Sequence, residues 1–366
     1  MMKPMKHQYI ERETQAVRTE TLIGDPVVNA IYSSVRENAG FLFNLLVSRR
    51  MSAVLGAVSY DLPFRSPPKD RDAFLASHGI DLAEVDGDPC ALDSYRKVFE
   101  RQIRYHDLRP MPEEPCAVVS PADSRILLGS FSRESAIFIK DKFFNFSELV
   151  GPDKQNWCRA FDHGDYAVCR LTPEKYHYNH TPVAGRVADI YEIDGCYHSC
   201  NPGAVVRAVT PYSKNRRVVT VIDTDVPGGT RIGLVAMVEV VAMMIGDIVQ
   251  CYSRGRYQDP ADVAPGMFLE KGCPKSLFRP GSSTTILIFQ SGKVRFSTDI
   301  VENLERTDAV SRFSSGFGRP LVETEVRVRS VIGRGVAAGF DQHTGALPVN
   351  GNGSPYPTPP EKGERQ

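Results

Sequence analysis

The chain has 366 residues, enough for one large or two smaller domains with a sizeable core. Its 44 basic residues balance 44 acidic residues, so no overall basic field points to nucleic acid as a partner. Its eight cysteines form no CxxC pair, which predicts reduced thiols in a cytoplasmic protein and no metal site.

Residues 1–93 are predicted to form a helical and loop-rich region. Residues 1–25 are polar and charged and do not have the pattern of a signal peptide. Residues 39–58 carry an apolar helical face that Arg49 and Arg50 interrupt, which makes a membrane span a poor interpretation. A core helix and a helix lying on an anionic membrane surface both remain open.

Short strands and turns follow from residue 94 onward. Residues 94–112 have helical spacing. Residues 117–126 predict a strand, a proline turn that carries Asp123, and the start of a second strand. By itself, an Asp after Ser-Pro-Ala is usually only a turn residue.

A second loop between predicted strands carries two histidines. One strand ends at Leu171, and another starts after Gly185. His177 and His180 lie three residues apart on the proline-containing loop between them. A single histidine is more often structural than catalytic, but loops held by a rigid sheet often carry function.

The C-terminal third combines buried strands with one irregular stretch. The β-branched and apolar residues 218–223, 233–249 and 285–289 predict strands. Residues 271–280 are polar and contain two prolines, which predicts that they do not form a regular strand. A hairpin turn is predicted at residues 291–293.

Two of these stretches together resemble the phosphatidylserine decarboxylase family. The first follows the order of that family's self-cleavage segment at Lys271, Gly272, Phe278, Gly281, Ser283 and Thr284. The second is similar to its Tyr-His and His-Pro signature at Tyr176, His177, His180 and Pro182. Lys175 and Tyr178 stand where the family has Asp and Arg. Supporting segments lie in the family's order between about residues 94 and 333.

The resemblance implies that the chain cuts itself between Ser282 and Ser283, and that Ser283 becomes a pyruvoyl prosthetic group. Small residues before a serine permit the strained backbone that its Oγ needs to attack the preceding carbonyl. The resulting ester breaks by β-elimination, and the dehydroalanine that forms loses ammonia to leave a keto group. The two products are the α and β fragments of one chain.

The same resemblance implies the roles of three further residues. Asp123 orients His180 and raises its basicity, and His180 takes the proton from Ser283 Oγ during self-cleavage. His177 is expected near the substrate carboxylate, where it reprotonates the α-carbon after carbon dioxide leaves. The implied reaction converts phosphatidylserine to phosphatidylethanolamine. Tyr178, in place of an Arg, bears on how the anionic substrate is held.

The resemblance also implies a fold, a location and partners. The fold is α+β, with a mostly antiparallel β core and N-terminal and peripheral helices that are concentrated before residue 115. Residues 94–335 form the decarboxylase domain, and residues 336–366 form a disordered tail. The protein is expected to be cytoplasmic and peripherally associated with a membrane surface, and a homodimer is left open.

Two alternative functions remain open. A soluble amino-acid decarboxylase of the same family would account for Tyr178 and for the weak membrane segment. A β-rich binding protein that keeps the fold without cleaving itself belongs to a different class, and an intact chain after expression would favour it.

If residues 39–58 lie on a membrane, vesicle binding should weaken as the salt concentration rises. The reason is that Arg49 and Arg50 attract anionic lipid through charges that salt screens. Vesicle flotation over a range of salt concentrations measures the effect. Equal binding to neutral and anionic vesicles, unchanged by salt, would contradict a basic contribution.

Overall fold

The computed structural model describes residues 6–22, 72–73, 75–76, 79–131, 144–207, 210–242, 247–280 and 283–336. Its strands are β1 Gln8–Glu11, β2 Val17–Thr19, β3 Ala117–Val119, β4 Ser124–Ser130, β5 Asp165–Leu171, β6 Tyr178–His180, β7 Gly185–Ile193, β8 Arg217–Asp223, β9 Leu234–Val240, β10 Ile248–Gln250, β11 Phe268–Leu269, β12 Pro274–Phe278, β13 Ser283–Phe289, β14 Val294–Phe296, β15 Glu323–Val326 and β16 Val331–Gly335. Its α-helices are α1 Tyr95–Phe99, α2 Tyr105–Leu108, α3 Phe146–Val150, α4 Gln155–Ala160, α5 Pro202–Arg207, α6 Pro211–Lys214, α7 Thr298–Leu304 and α8 Arg312–Phe317.

A ten-stranded sheet forms the main core, in the order β11-β7-β8-β9-β13-β5-β4-β15-β1-β2. Neighbouring strands run antiparallel except for β1 and β15, which are parallel. Two three-stranded sheets, β10-β12-β6 and β14-β16-β3, complete the β structure. The predicted α+β fold with a mostly antiparallel β core is therefore confirmed.

Strand β13 lies inside the large sheet, paired with β9 on one side and β5 on the other. Every residue of β13 is buried. Its β-branched and aromatic side chains suit a strand that is covered on both faces. Complete burial of a side chain such as Ile286 or Phe289 stabilises the fold by about 1.5–3 kcal/mol.

The predicted strands are largely confirmed, but two local predictions are wrong. Residues 271–280 contain β12, because Pro274 takes the first position, where a missing N–H is tolerated, and a β-bulge follows it. The turn at residues 291–293 closes no hairpin, because β13 and β14 belong to different sheets. Six of the eight described α-helices follow residue 115. Most of the N-terminal region in which further helices are expected, residues 23–71, lies outside the described residues, so that expectation stays a prediction.

Several predictions fall on residues outside those described. These are the segment 39–58, Gly281 and Ser282, and nearly all of the tail 336–366. The proposed domain boundaries stay a prediction. In the described part of the chain, no helix is both long enough and apolar enough to cross a membrane.

A buried ionic network fastens residues 6–22 to the large sheet. Arg170 donates to Glu323 on β15 and to Glu20, and the Glu20 carboxylate also lies 2.5 Å from Arg125 on β4. His7 lies 2.8 Å from the Glu323 carboxylate. Burial raises the pKa of Glu323, but the Arg170 charge outweighs this and holds it below the ordinary value. The charges are paired, so their burial is tolerated.

Replacement of Glu323 by Gln should lower the free energy of unfolding by about 3–5 kcal/mol at neutral pH, because it leaves Arg170 buried with one partner fewer. Urea unfolding measures the change. Because the folded pKa of Glu323 is lowered, its contribution is complete above the unfolded-state pKa of about 4.3 and is lost as the pH falls through the folded value.

Glu11→Gln is the matched control, since Glu11 pairs with the exposed Arg18. Exposed pairs contribute little, so its unfolding curve should be nearly unchanged. Equal curves for the two variants would show that the buried network does not anchor the N-terminal segment.

Candidate active site

Ser283 is the first residue of β13, opposite Leu171 at the end of β5. It directly follows the undescribed residues 281 and 282. Its side chain is completely buried, and its Oγ makes no hydrogen bond with any described residue. Buried hydroxyl groups are nearly always hydrogen-bonded, so an exception at this position marks a candidate functional group.

The two histidines lie at the edge strand β6 of the small sheet. The sequence predicts a loop between Leu171 and Gly185, but the chain there forms three residues of strand that pair with β12. The amide of Phe278 donates to the carbonyl of His177 and extends this pairing by one residue. Pairing with β12, which no local pattern shows, therefore orders the histidine segment.

A buried polar junction joins the small sheet to β13. Thr285 donates to Asn179 at 2.7 Å, and Asn179 donates to Ser276 at 3.2 Å. The Ser276 hydroxyl donates to Glu239 on β9, and Lys275 donates to the same carboxylate at 2.7 Å. Lys275 and Glu239 are both completely buried. Since side chains alternate along a strand, Ser283 and Thr285 share one face of β13, the face that meets β6.

His180 is held through both of its ring nitrogens. Nδ1 lies 2.8 Å from the carbonyl of Gly272, and Nε2 lies 2.9 Å from the hydroxyl of Tyr176. A carbonyl only accepts, so the neutral ring carries its proton on Nδ1 and accepts from Tyr176 at Nε2. Burial lowers the pKa of His180 to about 3, which keeps the ring neutral at physiological pH.

Gly272 has a backbone conformation that favours glycine. Its φ angle is +77°, in the left-handed region, and a Cβ at this position would lie 2.2 Å from the sulfur of Met111. A larger residue would therefore displace the carbonyl that accepts from His180. This explains the glycine after Lys271.

His177 is completely buried and stacks on Phe99 of α1, with the ring centroids 3.5 Å apart. Neither of its ring nitrogens has a hydrogen bond of good geometry within the described residues, although the backbone of Lys175 is close. Burial and the charge of Arg101 lower its pKa well below the ordinary value. His177 is therefore a neutral imidazole, and within the described residues neither of its ring nitrogens makes a hydrogen bond of good geometry.

Asp123 lies in the turn between β3 and β4, where its carboxylate accepts from Arg109 at 2.9 Å and from the amide of Val328 at 2.7 Å. Burial raises its pKa, but the charge and hydrogen bond of Arg109 outweigh this, and the net pKa is lowered. The negative charge of Asp123 in turn favours protonation of both His177 and His180. Within the described residues, no hydrogen bond joins Asp123 to His180.

The arrangement brings together an ionised carboxylate and two neutral histidines, and links their segment to the strand that begins with Ser283. Sequence reasoning picked out these four residues, but it missed the polar junction and the partners of His180. Glu239 lies in a strand whose apolar neighbours hide it, and Lys275 lies in the polar stretch 271–280, which the sequence does not predict to be a strand. Only the observation that a charged residue interrupts a buried strand could have pointed to Glu239.

The family model described as "Phosphatidylserine decarboxylase" matches residues 95–313. These residues include Asp123, both histidines and Ser283. The match spans more than half of the chain.

The chain belongs to the phosphatidylserine decarboxylase family.

Individual relatives agree with this assignment. The chain is similar to a "Phosphatidylserine decarboxylase proenzyme" of Fusobacterium nucleatum, with 27% identity over 307 residues, 82% of this chain and 93% of that protein. It is also similar to the protein of the same name from Bordetella petrii, with 32% identity over 236 residues, 61% of this chain and 78% of that protein. A proenzyme from Ruminiclostridium cellulolyticum is 27% identical over 295 residues, 80% of this chain and 91% of that protein.

The segments that carry the family resemblance meet around the histidines. Arg109 binds Asp123, and Phe99, from the same stretch of residues 94–112, stacks on His177. Tyr178, which stands in place of the family's Arg, packs against Tyr176 and Tyr257. This departure is accommodated in a cluster of aromatic rings.

Proposed function

We propose that this chain is a phosphatidylserine decarboxylase that makes a pyruvoyl group from Ser283 by cutting the bond between Ser282 and Ser283. The observation that carries the proposal is the buried Oγ of Ser283, which has no hydrogen-bond partner among the described residues and lies at the first position of a strand paired on both sides. An unpartnered hydroxyl is available to attack the carbonyl before it. Membership of a family whose relatives are named proenzymes supports the same conclusion.

The residues around Ser283 fit a pyruvoyl group. When present, it supplies an electrophilic carbonyl that accepts the electrons released as a carboxylate leaves as carbon dioxide. The small polar Oγ of Ser283 makes no hydrogen bond with any described residue that its conversion would break. The β13 ladder that holds the residue in place uses backbone groups, which remain after conversion.

For maturation, the proposed base is His180, supported by Asp123. His180 is neutral and has a lone pair at Nε2, which is what a general base needs. The charge of Asp123 favours the imidazolium that forms when His180 takes the proton of Ser283. Asp123 acts here through its field, since its hydrogen bonds go to Arg109 and Val328.

For turnover, the proposed acid is His177. Its ring nitrogens make no hydrogen bond of good geometry with the described residues, so His177 can contact the substrate and return a proton to the α-carbon. Phe99 fixes the plane of its ring by stacking. The neutral state of His177 avoids attracting the substrate carboxylate so strongly that its departure would be slowed.

The proposed substrate is phosphatidylserine at a membrane surface, with phosphatidylethanolamine as the product. This substrate is the one in the names of the relatives. The segment 39–58 is the proposed membrane contact, because it combines an apolar face with Arg49 and Arg50. The cytoplasm is the proposed location.

The purified protein should consist of two fragments, one that ends at Ser282 and one made of residues 283–366. Ser283→Ala should remain a single inactive chain, because it has no Oγ to attack with. The smaller fragment should resist Edman sequencing, since a keto group replaces its amine. Intact-mass spectrometry measures both results.

Ser282→Ala is the matched control. It should still cleave, because position 282 contributes only a small residue and the carbonyl that is attacked. If Ser282→Ala blocks cleavage and Ser283→Ala permits it, the cut lies one residue earlier and Ser282 carries the pyruvoyl group.

Changing either Asp123 or His180 to Ala should slow self-cleavage by at least about a hundredfold, since a general base contributes this much or more. His177→Ala should still mature but lose decarboxylation. The time course of cleavage after synthesis measures maturation, and thermal unfolding of each variant checks that the fold persists.

Normal maturation of both Asp123→Ala and His180→Ala would disprove the roles assigned to them. If only His177→Ala fails to cleave, His177 is the base for Ser283, and the two histidines exchange roles.

A further inference from the structure

Three hydrogen-bond contacts in series connect the backbone of Ile103 to the ring of His180, through the hydroxyl groups of Tyr257 and Tyr176. Tyr176 lies 2.9 Å from His180 Nε2, and its hydroxyl lies 2.6 Å from that of Tyr257. The Tyr257 hydroxyl also lies 3.0 Å from the carbonyl of Ile103, to which it can donate, and accepts from the Ile103 amide at 3.2 Å. Every member is at least partly buried, so water does not readily replace a lost contact.

Tyr257 occupies a backbone position that a tyrosine normally avoids. The amide of Gln258 donates to the carbonyl of Gly255, which closes a tight turn with Arg256 and Tyr257 at its centre. Their φ angles are +53° and +81°, the pattern of a type I′ turn, in which Asn-Gly is strongly preferred. A bulky side chain there costs about 1 kcal/mol or more. Strain of this kind persists where the side chain performs a task.

We propose that Tyr257 and Tyr176 are positioning residues for self-cleavage, and that they stabilise His180 in both of the protonation states it passes through. This inference rests on the proposed role of His180 as the base for Ser283.

The two states differ by rotation of hydroxyl groups. Before proton transfer, Tyr257 donates to Tyr176, and Tyr176 donates to the single lone pair of His180 Nε2. Nε2 can take the proton of Ser283 Oγ only once the Tyr176 hydrogen has turned away from that lone pair. The protonated Nε2 is then a donor, and Tyr176 accepts from it. The hydrogen of Tyr176 then needs a new acceptor, and Tyr257 provides it by turning its own hydrogen to the Ile103 carbonyl. No proton leaves or enters the tyrosines.

The charges around His180 explain why its imidazolium needs the hydrogen bonds of the two tyrosines. Arg329 and His106 both disfavour the imidazolium, and burial disfavours it more strongly than either, whereas Asp123 favours it. Tyr105 contacts the ring edge-on with centroids 4.7 Å apart. A cation formed in these surroundings depends on hydrogen bonds that accept from it.

The test compares Tyr257→Phe with Tyr105→Phe. Both changes keep the aromatic ring in the same cluster and remove one hydroxyl. The Tyr105 hydroxyl lies near the Arg256 backbone but has no partner at bonding geometry within the described residues. Self-cleavage of Tyr257→Phe should slow about ten- to hundredfold, as expected for a lost hydrogen bond to a charged group, while Tyr105→Phe matures at the normal rate.

A spectroscopic measurement separates this role from a merely structural one. In the uncleaved Ser283→Ala background, the ¹⁵N shift of His180 Nε2 reports how strongly it accepts. Adding Tyr257→Phe should move that shift towards the value of an unbonded nitrogen, because Tyr257 no longer polarises the Tyr176 hydroxyl. Adding Tyr105→Phe should leave it unchanged.

The outcomes separate this inference from the proposed function. Normal cleavage of Tyr257→Phe, with His180→Ala uncleaved, overturns the inference and leaves the role of His180 in place. Normal cleavage of His180→Ala overturns both. Equal slowing of Tyr257→Phe and Tyr105→Phe, with matching losses of thermal stability, assigns the tyrosines a packing role and also overturns the inference.

Discussion

The pairing of β13 with β9 and β5 is the constraint on which the rest of the molecule depends. Ser283 is fixed at the start of a strand that is hydrogen-bonded on both sides and buried along its whole length. A cut before Ser283 breaks one covalent bond and leaves this ladder intact. The new end of the chain therefore stays where the intact chain placed it. A reactive group made there is held by the core and needs no separate binding site.

The burial of the side chains near β13 explains which of them form ion pairs and which are neutral. Lys275 and Glu239 are completely buried beside β13 and tolerate this because they bind each other and the polar side chains at the junction. Burial lowers the pKa of both His177 and His180, and among the described residues no carboxylate is hydrogen-bonded to either, so both remain neutral. The same core thus holds a charged pair that stabilises the arrangement of sheets and two uncharged bases that can exchange protons.

Departures from the family pattern show how packing decides what a substitution means. The sequence places Tyr178 where the family has Arg, which suggested a changed substrate. In the structure its ring packs among Tyr176 and Tyr257, and its hydroxyl accepts from Gln102. The aromatic cluster of which it is part also holds the tyrosine that contacts His180. A change at one signature position is therefore tied to residues far away in sequence, such as Tyr257.

The sequence by itself determined the mostly antiparallel β core, because runs of β-branched and apolar residues in β8, β9 and β13 specify buried strands locally. It also indicated Asp123, His177, His180 and Ser283 as one site, through motifs that are short and contiguous. Only the tertiary structure decided that residues 274–278 form a strand, since that depends on partners on both sides. It alone decided what His180 binds, because Tyr257 reaches it from a turn 77 residues away through Tyr176, and pairing at such separation leaves no local pattern.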